Sequence, residues 1–374
     1  MGKVHQETAD GKVVACHQLI TATGERMADG LLDGFVADVT AGTLQKLLQD
    51  MVSMRRIDAE ATALQRQGEL ALWPPLLGQE AAQAGSAHAL QAADFVFSTY
   101  RESGVAYLRG AKPAELMSVW RGNNNSGWDP YTLNMATPQI VIGAQTLHAT
   151  GYGMGIVLDG GGSLAMAYFG DGATSQGDVH ESMVFAASFQ APVIFFCQNN
   201  HWAISEPVGL QSTLPLAARG PGYGIPTLQV DGNDVLAVLA ATRWAAERAR
   251  TGGGPSFIEA LTYRMGPHTT ADDPTRYRGV TELEDWAQKD PIARLQAYLR
   301  SQGIFDDDME AGMSATADAA ATELRQACIA LPEPAPLSVF DHVYVTDHPV
   351  LDRQRRQYQQ YLEQFAAAGD GSAS

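Results

Sequence analysis

The sequence predicts an α/β fold, in which a mainly parallel sheet carries helices on both faces, with helical N- and C-terminal extensions. Short apolar runs alternate with helical patterns in the middle of the chain, which is typical of βαβ units. Glycine and polar residues follow the first two runs, where ligands of such sheets bind. The predicted strands are Ser163–Phe169, Val193–Cys197, Thr227–Val230 and Phe257–Tyr263, and the predicted helices between them include one ending near Ser188 and one at Val235–Arg250.

The N-terminal extension begins with an irregular arm, predicted for residues 1–40 because their composition is mixed and contains glycine. From Thr43 to Leu64 apolar residues recur at helical spacing, and Gly68 is suited to end that helix. A second helix of small residues is predicted from about Gln79 to Leu90.

The C-terminal extension is also predicted to be helical. Asp290 and Pro291 are a suitable N-cap and first residue for a helix that ends near Arg300. The predicted elements after it are a helix from the Asp306–Asp308 run to before Pro332, a Pro-rich link at 332–336, a final amphipathic helix around Leu351–Phe365 and a disordered tail at 369–374. The expected domains are the arm (1–40), an α/β domain (41–330) and a C-terminal segment (331–374).

Charge and composition exclude several classes of function. The 374 residues have a net charge of −17, and no dense run of Lys and Arg occurs, so we expect no nucleic-acid partner. No stretch approaches the roughly 20 apolar residues of a membrane span, and the first residues lack the apolar run of a signal peptide. Cys16, Cys197 and Cys328 are far apart and show no metal-binding spacing. We therefore expect reduced thiols, no membrane contact and a cytoplasmic location.

The ends of two consecutive predicted strands carry residues suited to a magnesium diphosphate. Gly170-Asp171-Gly172-Ala173 follows one strand, and Asn199-Asn200-His201-Trp202 follows the next. Mg²⁺ prefers oxygen ligands, and it takes a few from protein and the rest from phosphate and water. Glycines let backbone N–H groups approach the diphosphate, whose charge is favoured by a helix N-terminus. Each motif alone is common in ordinary turns, so the prediction depends on both motifs occurring at the ends of consecutive strands.

A dinucleotide-binding fold is the competing interpretation, because Gly170, Gly172 and Gly177 follow a strand. That fold expects an acidic residue at the end of the second strand to hold the ribose. Here the second strand ends in Gln198-Asn199-Asn200, which has no carboxylate. An NAD-binding oxidoreductase without thiamine diphosphate is therefore the weaker alternative.

Several motifs over residues 40–365 resemble the alpha subunits of the E1 component of pyruvate and branched-chain 2-oxo acid dehydrogenases. The motifs are Leu77–Glu80, Thr99–Gly104, Ile140–Gln145, Ala167–Asp178, Cys197–Ser205 and Tyr263–Asp273. The resemblance implies a thiamine-diphosphate-binding fold with thiamine diphosphate and Mg²⁺ as cofactors.

The resemblance also implies roles for individual residues. Metal ligands would be Asp171, Asn200 and the backbone carbonyl of Trp202. The implied cofactor-binding residues are Tyr100, Arg101, Ile142, Gly170, Asp171, Gly172, Ala173, Asn200, Trp202, Ala203 and His268. An arginine is physically suited to the diphosphate because it is always charged. Some branched-chain relatives have Arg where Gln198 stands, so this chain departs from them at one phosphate contact.

His268 matches the histidine of the family's mobile loop over the active site. A lone histidine is more often structural, but Gly266-Pro267 and the polar run 269–273 place this one in a loop after a strand, where functional residues concentrate. The resemblance implies that His268 is catalytic and assists acyl transfer to a lipoyl group. Arg264, Asp272, Tyr277 and Arg278 match residues that order this loop; as an ordinary surface ion-pair cluster they would contribute little.

The implied reaction is the decarboxylation of a 2-oxo acid and transfer of the acyl group to the lipoyl domain of an E2 partner. Single-chain relatives carry a required carboxylate in a second α/β domain, for which this chain lacks room. We therefore expect an E1 beta subunit to supply it in an α₂β₂ heterotetramer.

Two questions of function stay open. The segment 65–71 and the Asp272-Asp273 loop resemble branched-chain subunits, whereas 140–145 resembles the pyruvate type. We favour 3-methyl-2-oxobutanoate as substrate, with pyruvate as the alternative. A non-catalytic scaffold would be expected to lack Asp171, Asn200 or His268, and all three are present.

Overall fold

The computed structural model describes residues 15–123 and 126–369, with the side chains of the last helix described as far as Phe365. The predicted tail at 369–374 and the first 14 residues of the predicted arm lie almost wholly outside this part. The strands in the described part are β1 (Cys16–His17), β2 (Phe95–Phe97), β3 (Ala165–Gly170), β4 (Val193–Asn199), β5 (Trp202–Ala203), β6 (Glu206–Pro207), β7 (Thr227–Asp231) and β8 (Ser256–Leu261).

The described α-helices are α1 (Ala41–Arg66), α2 (Glu80–Ala89), α3 (Ser103–Leu108), α4 (Pro113–Arg121), α5 (Pro130–Leu133), α6 (Ala144–Leu158), α7 (Gly177–Phe189), α8 (Val208–Gln211), α9 (Val235–Arg250), α10 (Val280–Ala287), α11 (Pro291–Ser301), α12 (Asp307–Ile329) and α13 (Pro349–Gly369). Short 3₁₀ helices lie at Asp33–Val36, Asp171–Ser175, Leu216–Tyr223, Pro274–Arg276 and Pro336–Phe340. None of the helices in the described ranges is long and apolar enough to cross a membrane.

Six of the described strands form one parallel sheet in the order β1-β7-β8-β4-β3-β2, and β5 pairs with β6 in a short antiparallel ribbon. On one face, alternate apolar residues of β2, β3 and β4 pack against α6 and α7. On the other face, Tyr168 of β3 reaches Ser86 of α2, their hydroxyl oxygens 2.8 Å apart, and α9 packs beside α2. The predicted α/β fold with a mainly parallel sheet is confirmed, and all four predicted strands lie within two residues of the observed bounds.

The two predicted helices of the N-terminal extension are confirmed. The apolar stripe of α1 is buried, and Thr40 caps the helix by accepting a hydrogen bond from the Thr43 N–H at 3.2 Å. Gly68 follows the helix with φ +83°, a left-handed conformation that glycine adopts without strain. Helix α2 differs by one residue at each end from the predicted range.

The structure adds detail to two local expectations. The described part of the predicted arm, 15–40, is irregular over most of its length, but Cys16 and His17 form the edge strand β1 beside β7. Asp234 holds this edge, since its Oδ2 accepts hydrogen bonds from the N–H groups of Leu19 and Ile20 at 2.6 Å each. The helix predicted to end near Ser188 is observed as α7, which ends at Phe189, and a 3₁₀ turn at Asp171–Ser175 precedes it.

The chain divides into two compact units between Ala330 and Leu331. The second unit contains the 3₁₀ helix at Pro336–Phe340 and α13, which replaces the predicted helix at 351–365 with a longer one. Within it, the rings of Phe340 and Tyr358 lie 6.2 Å apart.

Candidate active site

A cavity of about 230 Å³ opens where β3 and β4 end, at the carboxyl edge of the sheet. All eleven residues proposed from the sequence to bind a cofactor line this one cavity: Tyr100, Arg101, Ile142, Gly170, Asp171, Gly172, Ala173, Asn200, Trp202, Ala203 and His268. The structure therefore brings together residues that are as far apart in the chain as Tyr100 and His268.

Asp171 follows the last residue of β3, and its side chain is almost completely buried. Burial raises the pKa of its carboxyl to about 6, because the charged form loses its hydration. Its Oδ2 accepts one hydrogen bond from a neighbouring side chain, the Gln211 amide at 3.2 Å. Backbone hydrogen bonds from Asp171 and Asn200 and the charge of Arg264 lower this pKa, but burial has the larger effect. A buried carboxylate that forms no ion pair among the described residues is suited to bind a cation.

Asn200 follows β4 and is also buried. Its amide nitrogen donates to Gln79 Oε1 at 3.2 Å, and its Oδ1 accepts from the Trp202 N–H at 3.2 Å. The next residues are strained, since His201 and Ile204 have φ of +70° and +57°. A β-branched residue in this region is a genuine outlier, and such strain persists mainly where function requires it.

The glycines of the Gly-Asp-Gly motif serve different purposes. A Cβ on Gly172 would lie 2.7 Å from the Cβ of Ala203, so only glycine allows the two strand-end loops to pack this closely. A Cβ on Gly170 would meet no protein atom within 4 Å, although this residue lines the cavity. The space beside Gly170 is therefore available to a ligand.

Two guanidinium groups lie beside the cavity without an acidic partner among the described residues. Arg101 donates to the carbonyl oxygens of Pro75 at 2.7 Å and His268 at 2.9 Å. Arg264 is fully buried and donates to the carbonyl oxygens of Trp202 at 3.0 Å and Ile204 at 2.7 Å. Burial and the charge of Arg101 lower the pKa of Arg264. Two arginines that form no ion pair among the described residues, in a chain of net charge −17, are suited to bind an anion.

His268 is held between these two arginines. Its Nδ1 lies 3.2 Å from Arg101 Nη2 and 3.4 Å from Arg264 Nη1. Guanidinium nitrogens only donate, so Nδ1 accepts and the neutral ring carries its proton on Nε2. Burial, Arg101 and Arg264 together lower the pKa of His268 to about 3, while Asp272 opposes this shift.

The loop that carries His268 is ordered by the residues proposed for that task. The Asp272 carboxylate accepts the His268 N–H at 2.8 Å and the Tyr277 hydroxyl. That hydroxyl accepts in turn from Arg264 Nη2 at 2.8 Å, and Arg278 donates to the carbonyl oxygen of Arg264. These contacts connect the loop to the buried arginine of the cavity.

Tyr100 and Ile142 border the cavity with largely apolar surface. The Tyr100 ring lies 5.9 Å from the His268 ring in an edge-on arrangement, and the Arg101 guanidinium lies 5.5 Å from its centre. Ile142 remains 42% exposed next to the exposed Ile140 and Val141.

Sequence reasoning assigned no role to Gln79, Glu102 and Gln145 of the cavity, and it noted Gln198 only as a departure from branched-chain relatives. Buried side-chain atoms of Gln79, Gln145 and Gln198 have no hydrogen-bond partner among the described residues. Glu102 is fully buried and accepts from Gln198 Nε2 at 2.6 Å, and burial raises its pKa. All four lie in or beside motifs that resembled the family, but a glutamine has no local pattern that marks it as a ligand.

The described residues contain no group of three or more His, Cys, Asp and Glu side chains placed to hold a metal ion. A metal at this cavity would therefore need amide, carbonyl and phosphate oxygens besides the Asp171 carboxylate. Such a mixed set of hard oxygen ligands is characteristic of Mg²⁺ bound to a phosphate ligand. The orphaned amide groups and unpaired arginines fit a phosphorylated cofactor.

Residues 49–336, most of the chain, match the family described as dehydrogenase E1 component. The chain belongs to this family. E1 dehydrogenases are oxidoreductases that depend on thiamine diphosphate, and the features of the cavity fit such a cofactor.

Curated relatives identify the chain as an E1 subunit of the alpha type. It is 47% identical over 321 residues to the 3-methyl-2-oxobutanoate dehydrogenase subunit alpha of Mycobacterium tuberculosis, covering 86% of this chain and 88% of the relative. It is 42% identical over 280 residues to the pyruvate dehydrogenase E1 component subunit alpha of Staphylococcus epidermidis, covering 74% and 76%. The corresponding Bacillus cereus subunit is 41% identical over 295 residues, 78% of each chain.

Proposed function

We propose that this E1 chain is the alpha subunit of a branched-chain 2-oxo acid dehydrogenase. It would decarboxylate 3-methyl-2-oxobutanoate on thiamine diphosphate and pass the acyl group to the lipoyl domain of an E2 partner, in the cytoplasm. The observation that carries the proposal is the cavity that combines the buried Asp171 and Asn200 with two arginines lacking acidic partners.

The chain's own residues suggest how the cofactor would be held. Asp171, the amide oxygen of Asn200 and the carbonyl of Trp202 would bind Mg²⁺, whose charge offsets the burial of the carboxylate. Arg101 is the cation available to the diphosphate, and the space beside Gly170 admits it. When bound, thiamine diphosphate supplies the nucleophilic carbon and the electron sink for decarboxylation.

The other proposed residues shape the cavity around the cofactor. Gly172, Ala173 and Ala203 present small side chains where the two loops meet, and the Gly172 and Ala173 N–H groups start a helical turn. Tyr100 packs against His268 and Arg101. Ile142 offers apolar surface at the cavity, as a wedge against the cofactor requires.

His268 would hold and move one proton at Nε2. Since Nδ1 accepts from guanidinium N–H groups, Nε2–H is the hydrogen that the ring can donate. A neutral donor can stabilise an anionic oxygen or sulfur without adding a third fixed cation beside Arg101 and Arg264. This role is consistent with assistance to acyl transfer.

An E1 beta subunit is part of the proposal, in an α₂β₂ heterotetramer. Helices α6 and α7 pack against each other and expose a group of large apolar side chains: Tyr152, Val157, Leu158, Val184, Phe185 and Phe189. Large exposed apolar side chains on two helices that pack against each other are typical of a protein interface. The described sheet also supplies a single α/β unit around the cavity, which leaves the rest of the active site to another chain.

Pyruvate remains the second candidate substrate, because the pyruvate-type relatives are 41–42% identical to this chain. The 47% identity to a 3-methyl-2-oxobutanoate enzyme, over a larger share of the chain, favours the branched-chain acid. The two substrates differ by two methyl groups, and each methyl in an apolar pocket typically changes specificity by about 10-fold or more.

The test is to co-express the chain with its cognate beta subunit and compare kcat/KM for both acids, using a lipoyl domain as acceptor. We expect a preference of at least about 10-fold for 3-methyl-2-oxobutanoate, saturable and Mg²⁺-dependent cofactor binding, and no turnover by the chain alone. A preference for pyruvate would reverse the substrate proposal. Robust turnover without a beta subunit would contradict the two-chain proposal.

A further inference from the structure

The segment Trp73–Gln79, here called the strap, connects α1 to α2 and runs alongside the chain that follows β8. The Thr270 N–H donates to the Trp73 carbonyl at 2.9 Å, and the Met265 N–H donates to the Leu77 carbonyl at 3.1 Å. The Thr262 hydroxyl donates to the Gly78 carbonyl at 2.7 Å. The strap is therefore paired along its length with the segment that leads into the His268 loop.

The strap also contacts three parts of the proposed diphosphate site. The Pro75 carbonyl accepts from Arg101 Nη1 at 2.7 Å, and Gln79 Oε1 accepts from the Asn200 amide at 3.2 Å. The Trp73 N–H donates to the Thr270 hydroxyl at 3.0 Å, which completes a two-bond link to the loop. A shift of the strap would move an arginine, the proposed metal ligand and the histidine loop together.

Asp58 anchors the strap from α1, a helix that contributes no residue to the cavity lining. Its Oδ1 accepts the Trp73 indole N–H at 2.8 Å and the Leu76 N–H at 3.0 Å. Asp58 is 3% exposed and forms no ion pair with any described residue, and burial raises its pKa to about 6. An unpaired buried carboxyl destabilises a fold unless its position serves another purpose.

The other end of the strap has a different anchor. Glu80 Oε2 accepts the Gly78 N–H at 3.0 Å, but this carboxylate is also paired with Arg55 at 2.8 Å. Glu80 thus has a structural ion pair that accounts for its burial, whereas both described side-chain hydrogen bonds of Asp58 go to the strap.

We infer that Asp58 is a positioning residue for the diphosphate site. By fixing Trp73 and Leu76 it holds the Pro75 carbonyl against Arg101 and holds Trp73 against the loop of His268. The ligand in this inference, thiamine diphosphate with Mg²⁺, rests on the proposed function. The link between Asp58 and the His268 loop rests on the hydrogen bonds alone.

The experiment compares Asp58→Ala with Asp50→Ala in the assembled alpha–beta enzyme. Asp50 is a matched control, because it is equally buried on α1 but pairs with Lys46 and with His88, the latter at 2.7 Å, away from the strap. Calorimetric titration with thiamine diphosphate and Mg²⁺ should show roughly 10-fold weaker binding for Asp58→Ala, the usual effect of losing an outer-sphere partner. Asp50→Ala should stay within about twofold of wild type.

Amide hydrogen exchange of the cofactor-free enzyme provides a second readout. The Thr270 N–H, which donates to Trp73, should exchange faster in Asp58→Ala and at the wild-type rate in Asp50→Ala. Equal binding and equal exchange in the two alanine variants would overturn the inference. If the wild-type enzyme shows no saturable cofactor binding, the proposed function fails, and the exchange comparison still decides the role of Asp58.

Two milder variants keep the inference testable if Asp58→Ala does not fold. Asp58→Asn retains an oxygen that can accept both strap hydrogen bonds, so its cofactor affinity should stay within about twofold of wild type. Trp73→Phe keeps an aromatic ring but loses the indole N–H and part of the buried ring volume, so it should weaken binding and speed exchange at Thr270. Wild-type behaviour of Trp73→Phe, or an alanine-like loss in Asp58→Asn, would contradict positioning through these hydrogen bonds.

Discussion

Two buried polar regions lie on the same sheet and differ in how fully their hydrogen bonds are satisfied. In the sheet network, formed by Asn199, Gln229 and Glu259, the Glu259 carboxylate accepts both amides and the Ala217 N–H at 2.7–3.0 Å. At the cavity, Asp171 accepts one side-chain hydrogen bond, from the Gln211 amide at 3.2 Å, and its hydrogen bonds with the backbone of Asp171 and Asn200 do not offset the burial that raises its pKa to about 6.

The difference separates polar groups that stabilise the fold from polar groups kept for a ligand. Buried polar atoms are normally hydrogen-bonded, and each exception requires an explanation. The exceptions at and beside the cavity, among the described residues, include amide atoms of Gln79, Gln145 and Gln198 and the Nε of Arg264. A metal-bound diphosphate would compensate both kinds of charge at once, since the metal would bind the Asp171 carboxylate and the diphosphate would attract the arginines. On the proposed function, this is why neither the carboxylate nor the arginines form an ion pair among the described residues.

The largest effect is expected for Asp171→Asn. Losing the only carboxylate proposed as a metal ligand should weaken Mg²⁺-dependent binding of thiamine diphosphate by about 1000-fold or more, about 4 kcal/mol. The cofactor-free variant should melt at or above the wild-type temperature, because a buried charge is removed. Calorimetry and thermal unfolding measure the two effects.

Asp234→Asn is the matched control, since Asp234 is also fully buried before a helix but has four backbone N–H donors: Leu19, Ile20, Leu236 and Ala237. It should lower stability and leave cofactor affinity unchanged. Unchanged affinity in Asp171→Asn would end the assignment of this carboxylate to the metal.

His268→Ala should affect chemistry more than folding. The ring donates no hydrogen bond within the described structure that the fold depends on, whereas its Nε2–H is available to the cavity. Transfer of the acyl group to a lipoyl domain should fall by roughly 100-fold, the usual scale for a proton-transfer group. The melting temperature should change little. Full overall activity in the assembled complex would rule out the proposed role.

Glu259→Ala should lower the stability of the fold more than it affects cofactor binding or catalysis. It leaves the Asn199 and Gln229 amides and the Ala217 N–H without their acceptor, which should cost about 2 kcal/mol in unfolding free energy, roughly 30-fold in the folding equilibrium. Glu259→Gln retains one acceptor oxygen and should lose less stability. A variant that keeps wild-type stability but loses cofactor binding would erase the distinction between the two regions.

The residues at the strand ends could be predicted from the sequence because each motif directly follows its strand in the chain. Asp171 and Asn200 each follow a strand directly, and parallel strands end at the same edge, so their meeting follows from topology. The helix predicted at Val235–Arg250 has the observed bounds, and the structure shows that Asp234 caps its N-terminus.

Long-range pairing could not be predicted in this way. The strand Cys16–His17 is two residues long, and it exists because β7 and Asp234 hold it, which no local pattern reveals. Phe95–Phe97 is similarly short. The strap is irregular backbone, and its link to Asp58 becomes visible only once α1 and the His268 loop are placed side by side.

The smallest expected effect concerns pH and tests the arginine environment of the cavity. The pKa of His268 falls from an ordinary 6.5 to about 3 in the folded chain. Between these values the unfolded chain binds a proton at this histidine and the folded chain does not. Stability from this group is therefore lost as the pH falls from about 6.5 towards 3.

His268→Gln isolates this contribution, because glutamine cannot take up the proton. Between about pH 7 and 5, the melting temperature of the cofactor-free enzyme should fall less in the variant than in wild type. Asp58, Asp171 and Asp234, with pKa values raised to about 6, act in the opposite direction in both proteins and cancel in the comparison. Parallel melting curves would mean that folding does not lower the pKa of His268, and that Arg101 and Arg264 do not create the cationic environment that the diphosphate proposal requires.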